Sequence, residues 1–276
     1  MPMLESPRGH AIHYEVDDFT DAWRDAPSLV LQHGLGRSST LWRGWVPYLS
    51  RWFRIVRLDL RGCGRSGDAP ARSLDDYVED ILGVAAHVEA STFHYCGDSL
   101  GGILGMKLAA EHPRKVRTLT LLSSPVFLDE QNLSRVALGR RDVHAALDEL
   151  GSQGWADAMH DGVLMSREPN PAMAAWFAQD MGSSRLNTLH EMFSVAMAAD
   201  ARPLLPRIEA PVLGLYPTHG TLTSTLQEEL LRQHVKNLRY IRLPSPYHMA
   251  QHVAPATCAL QLLHFAAQAD GTACRE

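Results

Sequence analysis

Cys96-Gly97-Asp98-Ser99-Leu100-Gly101-Gly102 is the most informative stretch of this 276-residue chain. It places Ser99 in a G-x-S-x-G pattern, after an apolar run at 92–96 that predicts a strand and before a run at 103–111 that predicts a helix. A serine in this setting lies on a tight strand-to-helix turn with its hydroxyl raised above the sheet. The flanking glycines are needed because a Cβ there would clash with the neighbouring strand and helix. The amide NH of Leu100, at the start of the predicted helix, is placed to donate to a developing oxyanion.

Two further motifs lie upstream of this turn. A short apolar run at 29–32 predicts a strand that ends in the sequence H-G-L-G at 33–36. A turn of this kind after an early strand supplies a second oxyanion donor, here the amide NH of Leu35. The next predicted strand, at 53–58, leads into the loop D-L-R-G-C-G-R-S at 59–66. The chain therefore has three motifs in a fixed order, at 33–36, 59–66 and 96–102.

This succession of motifs resembles the α/β-hydrolase superfamily from about Leu29 to Ala266. The resemblance implies an α/β fold: a mostly parallel central sheet flanked by helices, with an inserted helical cap. The turn at 96–102 and its helix look like those of carboxylesterases and enol-lactonases. The Met-Ala-Gln that follows His248 looks like the end of the C–C bond hydrolases that act on ring-cleavage products. Serine at the centre of the turn disfavours epoxide opening and halide displacement, for which relatives use aspartate.

Strand and helix patterns alternate along most of the chain. Apolar runs such as 116–122 and 211–216 predict buried strands, and the alternation predicts a mostly parallel sheet. Between 125 and 206 the alternation stops and the composition is helical. We therefore assign 1–124 and 207–276 to an α/β-hydrolase core domain and 125–206 to a helical cap. Most large apolar side chains of the cap are expected to pack within the protein and a minority to line an apolar pocket: Met159, Met165, Met173, Trp176, Phe177, Met181, Met192, Phe193 and Met197.

The composition sets bounds on partners and location. Hydrophobic residues make up 45% of the chain, charged residues 21%, and the net charge is −5, so neither a nucleic-acid surface nor a basic membrane patch is expected. No run approaches the roughly eighteen apolar residues that a membrane span needs. The cysteines at 63, 96, 258 and 274 lack metal or C-x-x-C spacing and predict free thiols in the cytoplasm. We expect a small-molecule substrate and no cofactor or metal; the oligomeric state stays open, with a homodimer among the states considered.

A serine nucleophile needs a general base, and His248 is the candidate. The chain has 14 histidines, so location decides between them. His248 follows the last predicted strand, at 238–243, and precedes the last predicted helix, at 255–267. The resemblance implies a catalytic histidine at this point, and the order serine then histidine also matches.

The acid of the expected triad is missing from its usual positions. The stretch after the strand at 211–216 reads P-T-H-G-T-L-T, and the alternative position, at 123–125, reads S-S-P. Four hypotheses follow: Asp129 or Glu130 folds back to the base, His219 orients it, serine and histidine act as a dyad, or the site no longer hydrolyses anything. For Asp98, directly before the nucleophile, a structural hydrogen bond is the expected role.

The resulting hypothesis is a cofactor-free serine hydrolase that cleaves a small, largely apolar ester, lactone or thioester through an acyl-enzyme. Ser99 is the nucleophile, His248 the base, and the amides of Leu35 and Leu100 form the oxyanion hole. The first alternative is a C–C bond hydrolase, which needs a cation for the substrate carboxylate; Arg185 in the cap is a candidate. The second is a non-hydrolytic lyase or ligand receptor on the same fold.

Overall fold

The computed structural model describes residues 2–6, 9–165, 170–218, 222–245 and 247–272. Within these ranges eight strands form one sheet in the order β1-β2-β4-β3-β5-β6-β7-β8. β1 and β2 run antiparallel to their neighbours and all other pairs are parallel, which confirms the expected mostly parallel sheet. The strands are β1 (Met3–Glu5), β2 (Ala11–Asp17), β3 (Ser28–Gln32), β4 (Arg54–Leu58), β5 (Phe93–Asp98), β6 (Val116–Leu122), β7 (Val212–Pro217) and β8 (Leu238–Leu243).

Helices flank the sheet, as expected for this fold class. They are α1 (Val46–Leu49), α2 (Leu74–His87), α3 (Leu100–Glu111), α4 (Glu130–Ala137), α5 (Val143–Met159), α6 (Pro171–Gly182), α7 (Leu186–Ala198), α8 (Thr225–His234), α9 (Ala250–Val253) and α10 (Pro255–Ala269). Short 3₁₀ segments lie at Ser39–Gly44 and Leu205–Arg207, and a π-helical turn at His160–Leu164.

The central strands are apolar because both faces of the sheet are covered. β5 and β7 are buried at every residue. In β3 the side chains alternate, with Val30 in the core on one face and Leu29 and Leu31 in the core on the other. This two-sided burial explains why these strands have apolar runs in the sequence rather than an apolar–polar alternation.

The carboxyl ends of the parallel strands meet at one edge of the sheet. β3 leads into the turn at 33–36, β5 into Ser99, and β6 into Ser123, and the loop that carries His248 follows β8. In open α/β sheets this edge is where ligands bind. The topology thus brings the motifs of the sequence to one place.

The described chain between β6 and β7 is helical. α5 packs against α4, α6 and α7, and it bends at Gly151, whose φ is 67°. That 125–206 forms a separate cap stays a prediction. The elements that were not predicted include β1, which has only three residues, and α8, whose segment is largely polar.

Other expectations concern membranes and thiols. None of the helices in the described ranges is both long and apolar enough to cross a bilayer. Cys63, Cys96 and Cys258 are buried free thiols, and Cys274 lies outside the described residues.

Candidate active site

Ser99 lies on a strained turn between β5 and α3. Its φ is 51° and its ψ −114°, a conformation that non-glycine residues rarely adopt. Its amide donates to the carbonyl of Leu122 at 3.0 Å. A Cβ on Gly97 would overlap the Gly101 carbonyl, and one on Gly101 would lie 2.5 Å from the Gln32 carbonyl. The glycines of the motif are therefore required by the close approach of strand and helix.

The turn at 33–36 packs directly against Ser99. A Cβ on Gly34 would lie 3.0 Å from the Cβ of Ser99, which explains the glycine. The amides of Leu35 and Leu100 make no hydrogen bond to any acceptor in the part of the chain that the structure describes. Both residues line the same cavity as Ser99. Two amides beside a serine, free of protein acceptors, are the arrangement that an oxyanion hole requires.

A buried network holds this turn in place. The ring of His33 bonds the Gly34 carbonyl through Nδ1 at 2.7 Å and accepts from the Leu60 amide through Nε2 at 2.9 Å. Burial lowers the pKa of His33, in keeping with a neutral ring. Asp59 accepts from the amides of Ser39 and Arg65 at 2.5 and 2.9 Å. The loop at 59–66 thus stabilises the turn at 33–36.

His248 is buried beside the cavity. Its backbone carbonyl accepts from the Ser123 hydroxyl at 2.7 Å, whereas its ring Nδ1 has no hydrogen-bond partner among the described residues. Burial, and then the charges of Arg37 and Arg135, lower the pKa of His248 to about 4. The ring is therefore neutral near pH 7 and able to accept a proton.

Neither proposed acid makes a hydrogen bond or an ion pair with His248. Asp129 is the N-cap of α4: it accepts from the Asn132 amide at 2.9 Å and from Ser224 Oγ at 3.2 Å. Glu130 is exposed on the first turn of the same helix. The structure thus places both carboxylates at the start of α4, with surroundings other than His248. His219 lies outside the described residues.

Asp98 makes the structural hydrogen bond that was expected of it. Gln251 Nε2, from α9, donates to Asp98 Oδ1 at 2.5 Å. Burial raises the pKa of Asp98 to about 7, against the opposing effects of Arg37 and of this hydrogen bond. Asp98 also lines the cavity.

The cavity has a volume of about 80 Å³ and an apolar wall. The segment 125–206 supplies part of this wall, and three of the apolar residues highlighted from the sequence, Met159, Met181 and Phe193, belong to it. Trp176 and Met197 are instead exposed. The polar residues of the lining are Arg37, Asp98, Ser99, Asn132 and His248. The space suits a small, mostly apolar group.

Arg37 is a polar residue of the cavity wall that sequence analysis did not single out. It is buried at the cavity, directly after the H-G-L-G turn, and this adjacency was the available signal. Arg185, the predicted cation for a carboxylate, lies elsewhere: its side chain is 57% exposed and pairs with Asp68 at 3.3 Å. Arg185, the residue directly before α7, does not line this cavity, so the structure gives no support to the prediction for it. Among the described residues, no cluster of three or more His, Cys, Asp or Glu side chains is arranged to hold a metal ion.

The fold and this site define a hydrolase of the α/β class. The sequence matches the alpha/beta hydrolase fold family over residues 27–255, and the chain belongs to this family. Among its relatives, "Putative carbamate hydrolase RutD" of Yersinia enterocolitica is 30% identical over 213 residues, 71% of this chain and 72% of that protein. The protein of the same name from Agrobacterium fabrum is 36% identical, but the match spans only 41% of this chain and 43% of that protein.

Two further relatives extend the comparison. The pimeloyl-[acyl-carrier protein] methyl ester esterase of Nitrosomonas europaea is 27% identical over 80% of this chain and 88% of its own. The crystal structure of the enol-lactonase from Burkholderia xenovorans LB400 superposes with a TM-score of 0.82, covering 96% of this chain and 99% of that chain. Its 24% identity makes it a likeness of fold alone.

Proposed function

We propose that this hydrolase cleaves a small, largely apolar carboxylic ester, lactone or thioester through an acyl-enzyme on Ser99. One observation carries the proposal: Ser99 on its strained turn, the neutral His248 and the free amides of Leu35 and Leu100 border one apolar cavity. A nucleophile, a base and oxyanion donors around a shared space are what acyl transfer needs.

The reaction follows from these positions. The hydroxyl of Ser99 attacks the carbonyl carbon while His248 takes its proton, and the amides of Leu35 and Leu100 bind the negative oxygen. Collapse of the tetrahedral intermediate breaks the bond to the leaving oxygen or sulfur, which receives the proton from His248. Water then attacks the acyl-enzyme, again with His248 as base, and releases the acid and the free serine.

Among the described residues, no acid bonds His248 as the third member of a triad. An acid normally fixes the histidine tautomer and stabilises the imidazolium, and its loss costs up to about four orders of magnitude in rate. Nδ1 of His248 is buried without a partner among the described residues. We therefore propose that Ser99 and His248 act as a dyad. The hydrogen bond from Ser123 holds the backbone of His248 in place.

The names of the relatives support cleavage of a carbonyl–heteroatom bond. One is called a carbamate hydrolase and another a methyl ester esterase. Both names describe attack on an acyl carbon, the step assigned above to Ser99.

We propose in addition that the segment 125–206 acts as a cap over the cavity, which its contribution to the cavity wall supports. We propose further that the protein is cytoplasmic, which its three buried free thiols support. Its proposed partner is a small molecule, which the size of the cavity supports.

The unpartnered Nδ1 of His248 favours a second candidate, a non-hydrolytic lyase or ligand receptor. In such a protein His248 deprotonates or binds a ligand, and Ser99 never becomes acylated. Covalent labelling separates the two candidates because only an activated serine reacts with a phosphonylating probe.

The experiment is intact-mass analysis after exposure to a fluorophosphonate. We expect one adduct per wild-type chain, none on Ser99→Ala, and strongly slowed labelling of His248→Ala. Two exposed residues provide matched controls, and Ser91→Ala and His264→Ala are expected to label like the wild type. A folded wild type that stays unlabelled would reject the acyl-enzyme and favour the second candidate.

A further inference from the structure

Arg37 differs from the other buried arginines of the described chain. Arg57 pairs with Asp17 at 2.6 Å, and Arg61 pairs with Asp80 at 2.7 Å. Arg37 is equally buried, yet no carboxylate oxygen of the described residues lies within 4.0 Å of its guanidinium. Buried charges in proteins are normally paired, because an unpaired charge away from water is strongly unfavourable. The positive charge of Arg37 therefore lacks the close counter-ion that its setting calls for.

The partners that Arg37 does have are neutral. Its Nη1 donates to the Phe177 carbonyl at 2.5 Å, and its Nη2 donates to His160 Nε2 at 2.8 Å and to Met249 Sδ at 3.1 Å. His160 bonds the Ala156 carbonyl through its Nδ1, which leaves its Nε2 as the acceptor. A guanidinium carries five N–H donors, so these three acceptors leave two N–H groups for a ligand.

Two carboxylates whose charges act on Arg37 accept hydrogen bonds from other donors through one oxygen each, while Asp180 Oδ2 is buried without a partner among the described residues. Asp98 accepts from Gln251. Asp180 Oδ1 accepts from Ser38 Oγ at 2.7 Å and from Thr40 Oγ1 at 3.0 Å. Both act on Arg37 only through the electrostatic field, from beyond ion-pair distance. Neither fills the role that Asp17 and Asp80 have for the other buried arginines.

Arg37 lies close to the reacting groups. It lines the cavity together with Ser99 and His248, and its head group contacts the side chain of Met249, the residue after the candidate base. It follows the oxyanion donor Leu35 by two residues. An anion bound to the guanidinium is therefore held near the carbonyl that Ser99 attacks.

We propose that Arg37 binds a carboxylate of the substrate, so that the preferred substrates are short esters, lactones or thioesters with a carboxylate near the scissile carbonyl. A remaining N–H of the guanidinium donates a charge-assisted hydrogen bond to a carboxylate oxygen, and its fixed positive charge attracts the anion. The remaining wall is mostly apolar, which suits a short hydrocarbon spacer between carboxylate and ester. This inference rests on the proposed function and narrows its substrate class.

A bound carboxylate also assists the base. After burial, the charge of Arg37 is the next cause that keeps the pKa of His248 low. A substrate carboxylate on Arg37 offsets this charge and favours the imidazolium that forms during acylation. Anionic substrates are therefore expected to show a higher kcat as well as a lower KM than neutral ones.

The test compares two esters of nearly the same shape, monomethyl succinate and the neutral methyl 4-methylpentanoate. For Arg37→Met we expect kcat/KM to fall between about tenfold and a hundredfold on the anionic ester and less than about threefold on the neutral one. Arg37→Lys, which keeps the charge, is expected to retain part of the preference. Arg239→Gln removes an exposed arginine and is expected to behave like the wild type. Equal losses on both esters, with a lowered melting temperature, would show that Arg37 serves only to hold the fold.

A binding measurement separates this inference from the proposed function. Calorimetric titration of monomethyl succinate into Ser99→Ala needs no turnover. We expect binding that is lost in Ser99→Ala/Arg37→Met and kept in Ser99→Ala/Arg239→Gln. This pattern in a protein whose wild type hydrolyses neither ester would support the carboxylate site and reject the esterase. Absence of binding, or binding unchanged by Arg37→Met, would overturn the carboxylate site.

Discussion

The side-chain amide of Gln251 donates a 2.5 Å hydrogen bond to the carboxylate of Asp98, and it thereby ties the helix after His248 to the residue directly before Ser99. Ser123, itself at a positive φ of 47°, donates its hydroxyl to the His248 carbonyl at 2.7 Å. The candidate base is thus fixed to the nucleophile turn through its backbone and its neighbour. Its ring, in contrast, has no described partner on Nδ1.

Removal of this link tests its role in placing the base. In Gln251→Leu the buried Asp98 loses its donor, and we expect the free energy of unfolding to fall by about 1–3 kcal/mol. We also expect kcat to fall at least about fivefold while KM changes less than about twofold, because Gln251 does not line the cavity. Urea unfolding and steady-state kinetics measure both effects, with the exposed Gln233→Leu as control. A change in KM alone would contradict a positioning role.

Asp129 provides a test of the missing acid. An asparagine keeps the oxygen that caps α4, so Asp129→Asn is expected to lower stability by less than about 1 kcal/mol. Because Asp129 makes no hydrogen bond to His248, kcat is expected to change less than about threefold. Glu130→Gln, next to it and exposed, is the matched control. A loss of two or more orders of magnitude in Asp129→Asn alone would make Asp129 the acid of a triad.

The pH dependence of the rate follows from the lowered pKa of His248. The base must be unprotonated in the free enzyme, and its pKa is about 4. We therefore expect protonation of His248 to lower kcat/KM with a midpoint near pH 4, well below the pKa of about 7 of Asp98 in the same cavity. Circular dichroism at each pH distinguishes protonation from unfolding. A midpoint at or above pH 6.5 would show that a negative group stabilises the imidazolium.

Removal of a neighbouring charge extends this prediction. Burial is the largest cause of the low pKa of His248, followed by Arg37 and Arg135. In Arg37→Met one positive charge is lost, so the midpoint for the neutral ester is expected to move to higher pH. No movement would show that the charge of Arg37 does not reach the base.

Asp59 makes the stability of the fold depend on acid pH. Burial alone raises its pKa, but the hydrogen bond from His13 and the two backbone amides outweigh this and hold the pKa at about 2. A depressed pKa contributes stability above the unfolded value near 3.8 that is lost as the pH falls toward 2. This contribution to the free energy of unfolding is about 2 kcal/mol. Denaturant unfolding at several pH values is expected to show that the wild type loses stability more steeply between pH 4 and 3 than Asp59→Asn does. The exposed Asp25→Asn is expected to keep the wild-type slope, and a wild-type slope in Asp59→Asn would contradict the account.

The fold could be predicted from the sequence because the signals that determine it are local. The glycines at 97 and 101 are needed where strand and helix approach each other, and Gly34 is needed where the oxyanion turn meets Ser99. His248 was found from its place between the last strand and the last helix. Each of these signals lies within a few residues of the feature it predicts.

The parts that escaped prediction depend on distant contacts. Arg37 receives its environment from Phe177, His160 and Met249, which lie 140, 123 and 212 residues away along the chain. A pattern within the sequence cannot show that these groups converge. Arg185 was chosen for its place in the predicted cap, but that place gave no information on which way its helix faces.

For Asp129 the sequence does contain a local signal, that of a helix N-cap. Asp129 and Asn132 have the spacing of a capping box, and each bonds the other's backbone amide, at 2.9 and 3.1 Å. A short polar residue at this spacing predicts the start of a helix at Glu130.

The most direct test of the central claim is mass analysis of the enzyme quenched in acid during turnover of p-nitrophenyl butyrate. The account predicts a burst of p-nitrophenol and one butyryl group on the peptide that contains Ser99. The adduct is expected to accumulate because p-nitrophenolate is a good leaving group, so acylation of Ser99 is faster than the later attack by water. Wild-type turnover without a burst, with no adduct on Ser99 at any time and with full activity in Ser99→Ala, would contradict the acyl-enzyme.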